Sequence, residues 1–216
     1  MMAQTALPQG QPLLAAGASL DEAQAAMVMV HGRGAFAEDM LLLIEHLDVP
    51  GFAYLAPQAA MNTWYPERFI APRAANEPYL SSGLQTIADT IIRINEAGIT
   101  TEKIVLLGFS QGACLALEFA ARHPQRYGGV FALSGGLIGT DNELTGYEGS
   151  LDGALLFLGC SDVDFHVPLQ RVRRSAEIMA ELGGDVEKRI YPGMGHEVNQ
   201  DELNFVAAAM KSLSDR

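Results

Sequence analysis

Cysteine is scarce in this chain. Its 216 residues hold two, Cys114 and Cys160, and neither sits in a CxxC pair. That spacing excludes a thioredoxin-type dithiol and the usual zinc ribbon, and so small a number excludes a disulfide framework. Two buried thiols in a reducing cytosol are the expectation. Positive charge is also short: 14 Lys and Arg stand against 26 Asp and Glu, a formal net charge of −12. Nucleic acid and anionic membrane are therefore poor partners, because both attract basic surfaces. No apolar run approaches the roughly 20 residues needed to cross a bilayer, so no integral membrane association is expected. The opening residues, Met1 to Pro8, lack a basic stretch followed by a long apolar one, so a cytoplasmic protein is expected. No repeat, low-complexity tract or linker divides the chain. A single domain over 1–216 follows, with 1–20, rich in Ala, Gln, Gly and Pro, as loop or edge structure.

Short apolar runs alternate with longer periodic segments. The runs are 26–30, 52–56, 103–107, 129–133 and 154–158, all nearly continuous in apolar residues, as in strands buried on both faces of a parallel sheet. The more polar 186–191 fits a strand nearer an edge. Between them, Leu84, Ile87, Ala88, Ile91 and Ile92 recur at i, i+3, i+4, i+7 and i+8, one face of a helix. Ser82 with Gln85 resembles a capping box for it, and Gly98 a stop. Leu169 to Ala180 forms a second helical face, begun by Pro168 in the first turn and ended by Gly183-Gly184. Leu203, Val206, Ala207 and Met210 form a third. Strand and helix in alternation imply an α/β fold with a mostly parallel sheet and helices on both faces. Ligands on such sheets bind beyond the C-terminal strand ends, so the residues after each run carry the interest.

One of those places is Gly108-Phe109-Ser110-Gln111-Gly112, between the run ending at Leu107 and the helix-forming stretch Ala113 to Ala121. Strand, G-x-S-x-G, helix is the context of a nucleophile elbow. The serine sits on a strained turn, so its neighbours at −2 and +2 must be small. The new helix directs its free N–H groups at the same point, which favours a developing oxyanion. Cys114, one turn into that helix, is not at the elbow, which argues against a cysteine nucleophile of the dienelactone-hydrolase kind.

A serine hydroxyl needs a base. Of five histidines, His31 and His46 precede the serine and His123 lies near the far end of its helix. His196 follows the last strand in the glycine-rich Pro192-Gly193-Met194-Gly195, at the correct sheet end, and is the expected base. The acid that orients it belongs in the loop after Leu158, where Asp162 and Asp164 both stand; spacing does not separate them. His166, beside them, is expected at the rim rather than as a second base. The Asp/His group lacks the i, i+4 spacing of a helical zinc motif, so neither metal nor cofactor is expected. The second oxyanion donor is expected in Val30-His31-Gly32-Arg33-Gly34-Ala35, from the Arg33 amide, with the Gln111 amide as the first; His31 would brace that loop.

Taken together, these residues resemble the phospholipase/carboxylesterase family of α/β-hydrolases, which includes the acyl-protein thioesterases. The resemblance rests on His31-Gly32-Arg33-Gly34 with Ala37-Glu38-Asp39, Ala56-Pro57-Gln58 with Trp64-Tyr65, Gly108 to Gly112, Asp164-Phe165-His166-Val167-Pro168, and Gly195-His196. It implies an α/β-hydrolase fold without a separate cap domain. It implies Asp164 as the acid, three residues before the Val of the Val-Pro pair. Pocket residues would be Trp64, Tyr65, Phe109 and Phe165, with 135–153 as a short flap. The activity implied is a serine carboxylesterase acting on small to medium acyl esters through an acyl-enzyme. A thioesterase or lysophospholipase-like hydrolase is the near alternative, and a non-catalytic binding protein the distant one. A small-molecule ester or thioester would be the partner, and a homodimer is expected from the family. The sequence departs from the thioesterase branch at His-Gly-Arg-Gly, where His-Gly-Leu-Gly is usual. Its Asn62 to Pro66, Arg68-Phe69 and Asn76 to Tyr79 are similar to a bacterial carboxylesterase subgroup near hydroquinone or aromatic-compound degradation functions.

Overall fold

The apolar runs pair into one sheet. In the computed structural model, which describes residues 11–47 and 49–215, the strands are β1 (Leu13–Gly17), β2 (Ala25–Val30), β3 (Phe52–Pro57), β4 (Ile104–Phe109), β5 (Gly129–Leu133), β6 (Leu155–Ser161) and β7 (Asp185–Tyr191). Their order is β1-β3-β2-β4-β5-β6-β7. Every pair is parallel except β1 with β3. The part of the 1–20 expectation that falls on 1–10 lies outside the described residues; 13–17 is edge structure, the antiparallel outer strand. β7, half-exposed along most of its length, closes the other edge.

Side-chain alternation divides the core in two. Ala26, Val28 and Val30 of β2 point to one layer; Ala25, Met27 and Met29 point to the other. The first layer is covered by α3 (Tyr79–Glu96), α4 (Gln111–Arg122) and α5 (Leu169–Glu181). The second is covered by α6 (Gln200–Ser214) and two short helices after β2, Ala37–Leu41 and Ile44–Leu47. This is the doubly covered sheet of the α/β-hydrolase fold. The chain steps from β2 outward to β3, then back across to β4. The loops leaving β2 and β4 therefore face one another at the switch point, where a ligand crevice forms.

Two helix starts differ from expectation. Ser82 is buried inside α3 rather than capping it, because Pro78 sets the start one turn earlier. The cap comes from Glu77, whose carboxylate accepts the Ser81 N–H at 3.0 Å and its hydroxyl at 2.9 Å. Pro168 stands at the N-cap of α5, one place before the first turn.

The expected flap at 135–153 is a wedge. Leu137, Ile138, Leu144 and Leu151 are buried in the core and pin the segment to the body of the fold. Glu118 of α4 anchors it: its carboxylate accepts the Ile138 N–H (2.9 Å) and the Tyr147 hydroxyl (3.0 Å), and pairs with Arg73 (3.1 Å) and Arg122 (2.8 Å). Arg171 of α5 donates to the carbonyls of Leu137 and Gly139.

Candidate active site

β4 delivers its last residue, Phe109, to the C-terminal end of the sheet, and the chain reverses at Ser110. There the backbone adopts φ 54° and ψ −116°, a conformation that L-residues rarely take and that must be held by its surroundings. The surroundings are tight. A methyl group on Gly108 would overlap the carbonyl of Gly112, and one on Gly112 would overlap the carbonyl of Val30. These are the −2 and +2 positions, so the glycines of the pentapeptide are a steric requirement. The Ser110 N–H donates to the Leu133 carbonyl at 2.9 Å, tying the turn to β5.

Three side chains from three loops meet above this turn. His196 Nε2 lies 2.8 Å from Ser110 Oγ, and His196 Nδ1 lies 2.7 Å from Asp164 Oδ2. A carboxylate only accepts, so Nδ1 carries the proton and Nε2 is left to accept from the serine hydroxyl. Asp164 is fully buried at its side chain. Its other oxygen accepts the N–H groups of His166 (2.8 Å) and Val167 (3.0 Å), which fixes the carboxylate plane. Of the two aspartates, Asp164 reaches the imidazole, whereas Asp162 accepts the Gly193 N–H and braces the histidine loop. The His196 ring packs between Phe109 (5.1 Å) and His166 (4.7 Å).

The loop after β2 lies against the elbow. A methyl on Gly32 would stand 3.4 Å from Ser110 Cβ, so the two turns are in near contact. His31, fully buried, braces this loop: Nδ1 donates to the Gly32 carbonyl (2.7 Å) and Nε2 accepts the Ala59 N–H (3.0 Å). Burial holds its pKa below the ordinary value, which suits a neutral ring. The Gln111 amide opens α4, where no intrahelical acceptor exists. The Arg33 amide makes no hydrogen bond among the described residues. The side chains of these same two residues converge on one acceptor. Arg33 Nη2 and Gln111 Nε2 donate to the Tyr65 carbonyl at 2.9 and 2.8 Å. Arg33 also holds the carbonyls of Pro66 and Glu67, while Gln111 Oε1 accepts the Trp64 N–H.

A cavity of about 360 Å³ opens over Ser110 and His196. Its walls are Arg33, Tyr65 to Phe69, Gln111, Cys114, His166 and Val167. Of the residues expected to line it, Tyr65 does. Trp64 does not: it is wholly buried, with its indole N–H on the His31 carbonyl at 2.9 Å, so it belongs to the core under the loop. Phe109 supports the imidazole from beside it and is not part of the wall. Phe165 is 92% exposed and is not part of the wall, while the backbone N–H groups of its neighbours His166 and Val167 bond Asp164. None of 135–153 reaches the cavity. Arg68, Phe69 and Cys114 were not assigned to the pocket from sequence; only their place after the Trp-Tyr-Pro segment or in the first turn of α4 could have signalled them. Burial pushes the Cys114 thiol up to about 12, so it is a protonated wall atom and no competitor for Ser110. Cys160, behind Asp164, is likewise raised to about 12 by burial. Among the described residues no group of three potential ligands could hold a metal ion, and no helix is long and apolar enough to cross a membrane.

A serine on a strained elbow, bonded through a histidine to a buried aspartate at the switch point of a parallel sheet, defines the α/β-hydrolase class. Within it, the phospholipase/carboxylesterase family profile matches residues 15–214, and the chain belongs to that family. A crystal structure of a phospholipase/carboxylesterase from Dyadobacter fermentans superposes with a TM-score of 0.90 at 37% identity, covering 94% of this chain and 97% of that one. Proteins named acyl-protein thioesterase 1 are 33% identical over 54% of this chain in Gibberella zeae and 33% over 62% in Saccharomyces cerevisiae. Those alignments span 50% and 60% of the fungal proteins.

Proposed function

We propose that this protein is a serine carboxylesterase that hydrolyses small to medium acyl esters through an acyl-enzyme. The observation that carries the reading is the unbroken line Asp164–His196–Ser110, with links of 2.7 and 2.8 Å, at the wall of the cavity. Ser110 Oγ attacks the ester carbonyl carbon as His196 Nε2 takes the hydroxyl proton. The carbonyl oxygen gains negative charge and is held by the amides of Arg33 and Gln111. The tetrahedral intermediate collapses, His196 returns the proton to the leaving alkoxide, and the alcohol departs. Water, deprotonated by His196, then attacks the acyl-serine and releases the acid and Ser110. Asp164 keeps the imidazole in the required tautomer and stabilises it when charged. No cofactor or metal enters any step. The cavity size supports a small substrate. A cytoplasmic setting is part of the same reading, and two free buried thiols fit a reducing compartment.

Ser110→Ala is expected to abolish turnover of a p-nitrophenyl butyrate test ester and labelling by a fluorophosphonate. Undiminished turnover would refute the assignment. A thioesterase is the second reading, favoured by the names of the fungal relatives. Matched kcat/KM values on an ester and its thioester decide between them, with a tenfold excess on the ester expected. A wild-type protein that binds esters without turnover or labelling would leave only the binding-protein reading.

A further inference from the structure

We propose that the cavity is built to receive a carboxylate, so that the preferred ester carries a second, ionised acidic group. The inference rests on the esterase reading and extends it to substrate class. The chain has nearly two acidic residues for each basic one, yet the cavity wall inverts the ratio. Arg33 and Arg68 line it against a single acid, Glu67. Neither guanidinium has a carboxylate within 4.0 Å among the described residues; Arg93, Arg126 and Arg173 are unpaired too but lie outside the cavity wall, and Arg73, Arg122, Arg171, Arg174 and Arg189 are paired.

Arg33 is held in place without being neutralised. Its three hydrogen bonds go to the carbonyls of Tyr65, Pro66 and Glu67 at 2.9, 2.8 and 2.7 Å. Neutral carbonyls orient a guanidinium and leave its formal charge intact. Two of its five N–H donors remain unspent. A pre-oriented cation with free donors is what a planar carboxylate requires. Glu67 does not cancel it: its carbonyl accepts from Arg33 and its N–H donates to Asn76 Oδ1, but its carboxylate pairs with neither arginine. The ring of His166, at the same wall, adds a donor beside His196. The surrounding net charge of −12 would repel a small anion at long range, but a concave wall focuses the local field and contact decides affinity. For the serine, the arrangement fixes a substrate by its anionic end and presents the ester carbonyl to Oγ.

The test compares esters of one shape and different charge. Monoethyl succinate and ethyl succinamate place the carboxylate or its amide on the acyl side; 3-acetoxypropanoate and 3-acetoxypropanamide place it on the alcohol side. The anionic member of one pair is expected to show kcat/KM higher by on the order of 10- to 100-fold, the effect of one charge-assisted hydrogen bond. That ratio should fall toward one in Arg68→Gln and in Arg33→Gln, and in wild type as salt rises from 0.05 to 0.5 M. Amide esters turned over as fast as, or faster than, their acids in both pairs would overturn the carboxylate site and leave the esterase standing. A preference that persists in both variants would overturn the assignment to these arginines. No turnover of any of the four by a protein that fluorophosphonate also fails to label would overturn both readings.

Discussion

Glu118 and Asp164 are both carboxylates with no side-chain exposure, and their partners differ in kind. Glu118 sits between two guanidiniums, a phenol and a backbone amide. Every partner keeps the same charge at neutral pH, so the cluster is a static clamp between α4 and the segment after β5. Asp164 has two backbone N–H groups, a neutral thiol from Cys160 at 3.8 Å and one imidazole. The backbone donors hold the carboxylate without supplying a permanent cation, and the imidazole can gain a proton and lose it. A buried charge surrounded by fixed charges makes a wall; one surrounded by dipoles and a titratable ring makes a device.

Substitution at each carboxylate separates the two roles. Asp164→Asn is expected to lower kcat by about 10⁴-fold, because an amide no longer enforces the tautomer that leaves Nε2 free to accept. Its melting temperature should change little. Asp162→Asn, which loosens only the Gly193 contact, should cost under about tenfold, measured on the same ester; a larger loss there than at Asp164 would reassign the acid. Glu118→Gln should do the opposite. It leaves two arginines without their shared partner and should destabilise by about 2–4 kcal/mol in urea unfolding, discounted because both can turn toward water. Activity per folded molecule should stay near wild type. A collapse of kcat without loss of stability would dissolve the distinction.

The last effect concerns a third buried carboxylate. Glu202, at the start of α6, is raised by burial to about 7 from an ordinary 4.5. The native chain therefore binds a proton that the unfolded chain has released between those values. Stability from this group is present below about pH 4.5, falls as pH rises toward 7, and is level above. The span is at most about 3 kcal/mol by linkage. Glu202→Gln keeps the capping side chain and should flatten that slope in thermal melts between pH 5 and 7.

The apolar runs located β2 to β6 within a few residues, since a strand buried on both faces needs continuous hydrophobicity. β1 falls in the stretch expected as loop or edge structure but showed no strand pattern of its own, because Leu13–Gly17 is a short Ala- and Gly-rich edge whose pairing is supplied by β3, about forty residues away. The helices at 37–41 and 44–47 are too short to show a period. At the site, the meeting of Ser110 with His196 was readable from local context, because glycine spacing and loop position follow from backbone sterics. Trp64 was not, because its packing in the core and its bond to a carbonyl 33 residues earlier arise only in three dimensions. The Glu118 clamp was invisible for the same reason: Arg73, Ile138 and Tyr147 approach it only in three dimensions.

Tyr65 contributes one carbonyl oxygen to both Arg33 and Gln111. The pocket wall and the two amides assigned to the oxyanion thus hang from a common peg. Enlarging the cavity by changing residues 64–67 would shift that peg, and with it the groups that set the rate. On the proposed mechanism, breadth of substrate and speed of reaction are coupled at this wall, because both hang on the Tyr65 carbonyl.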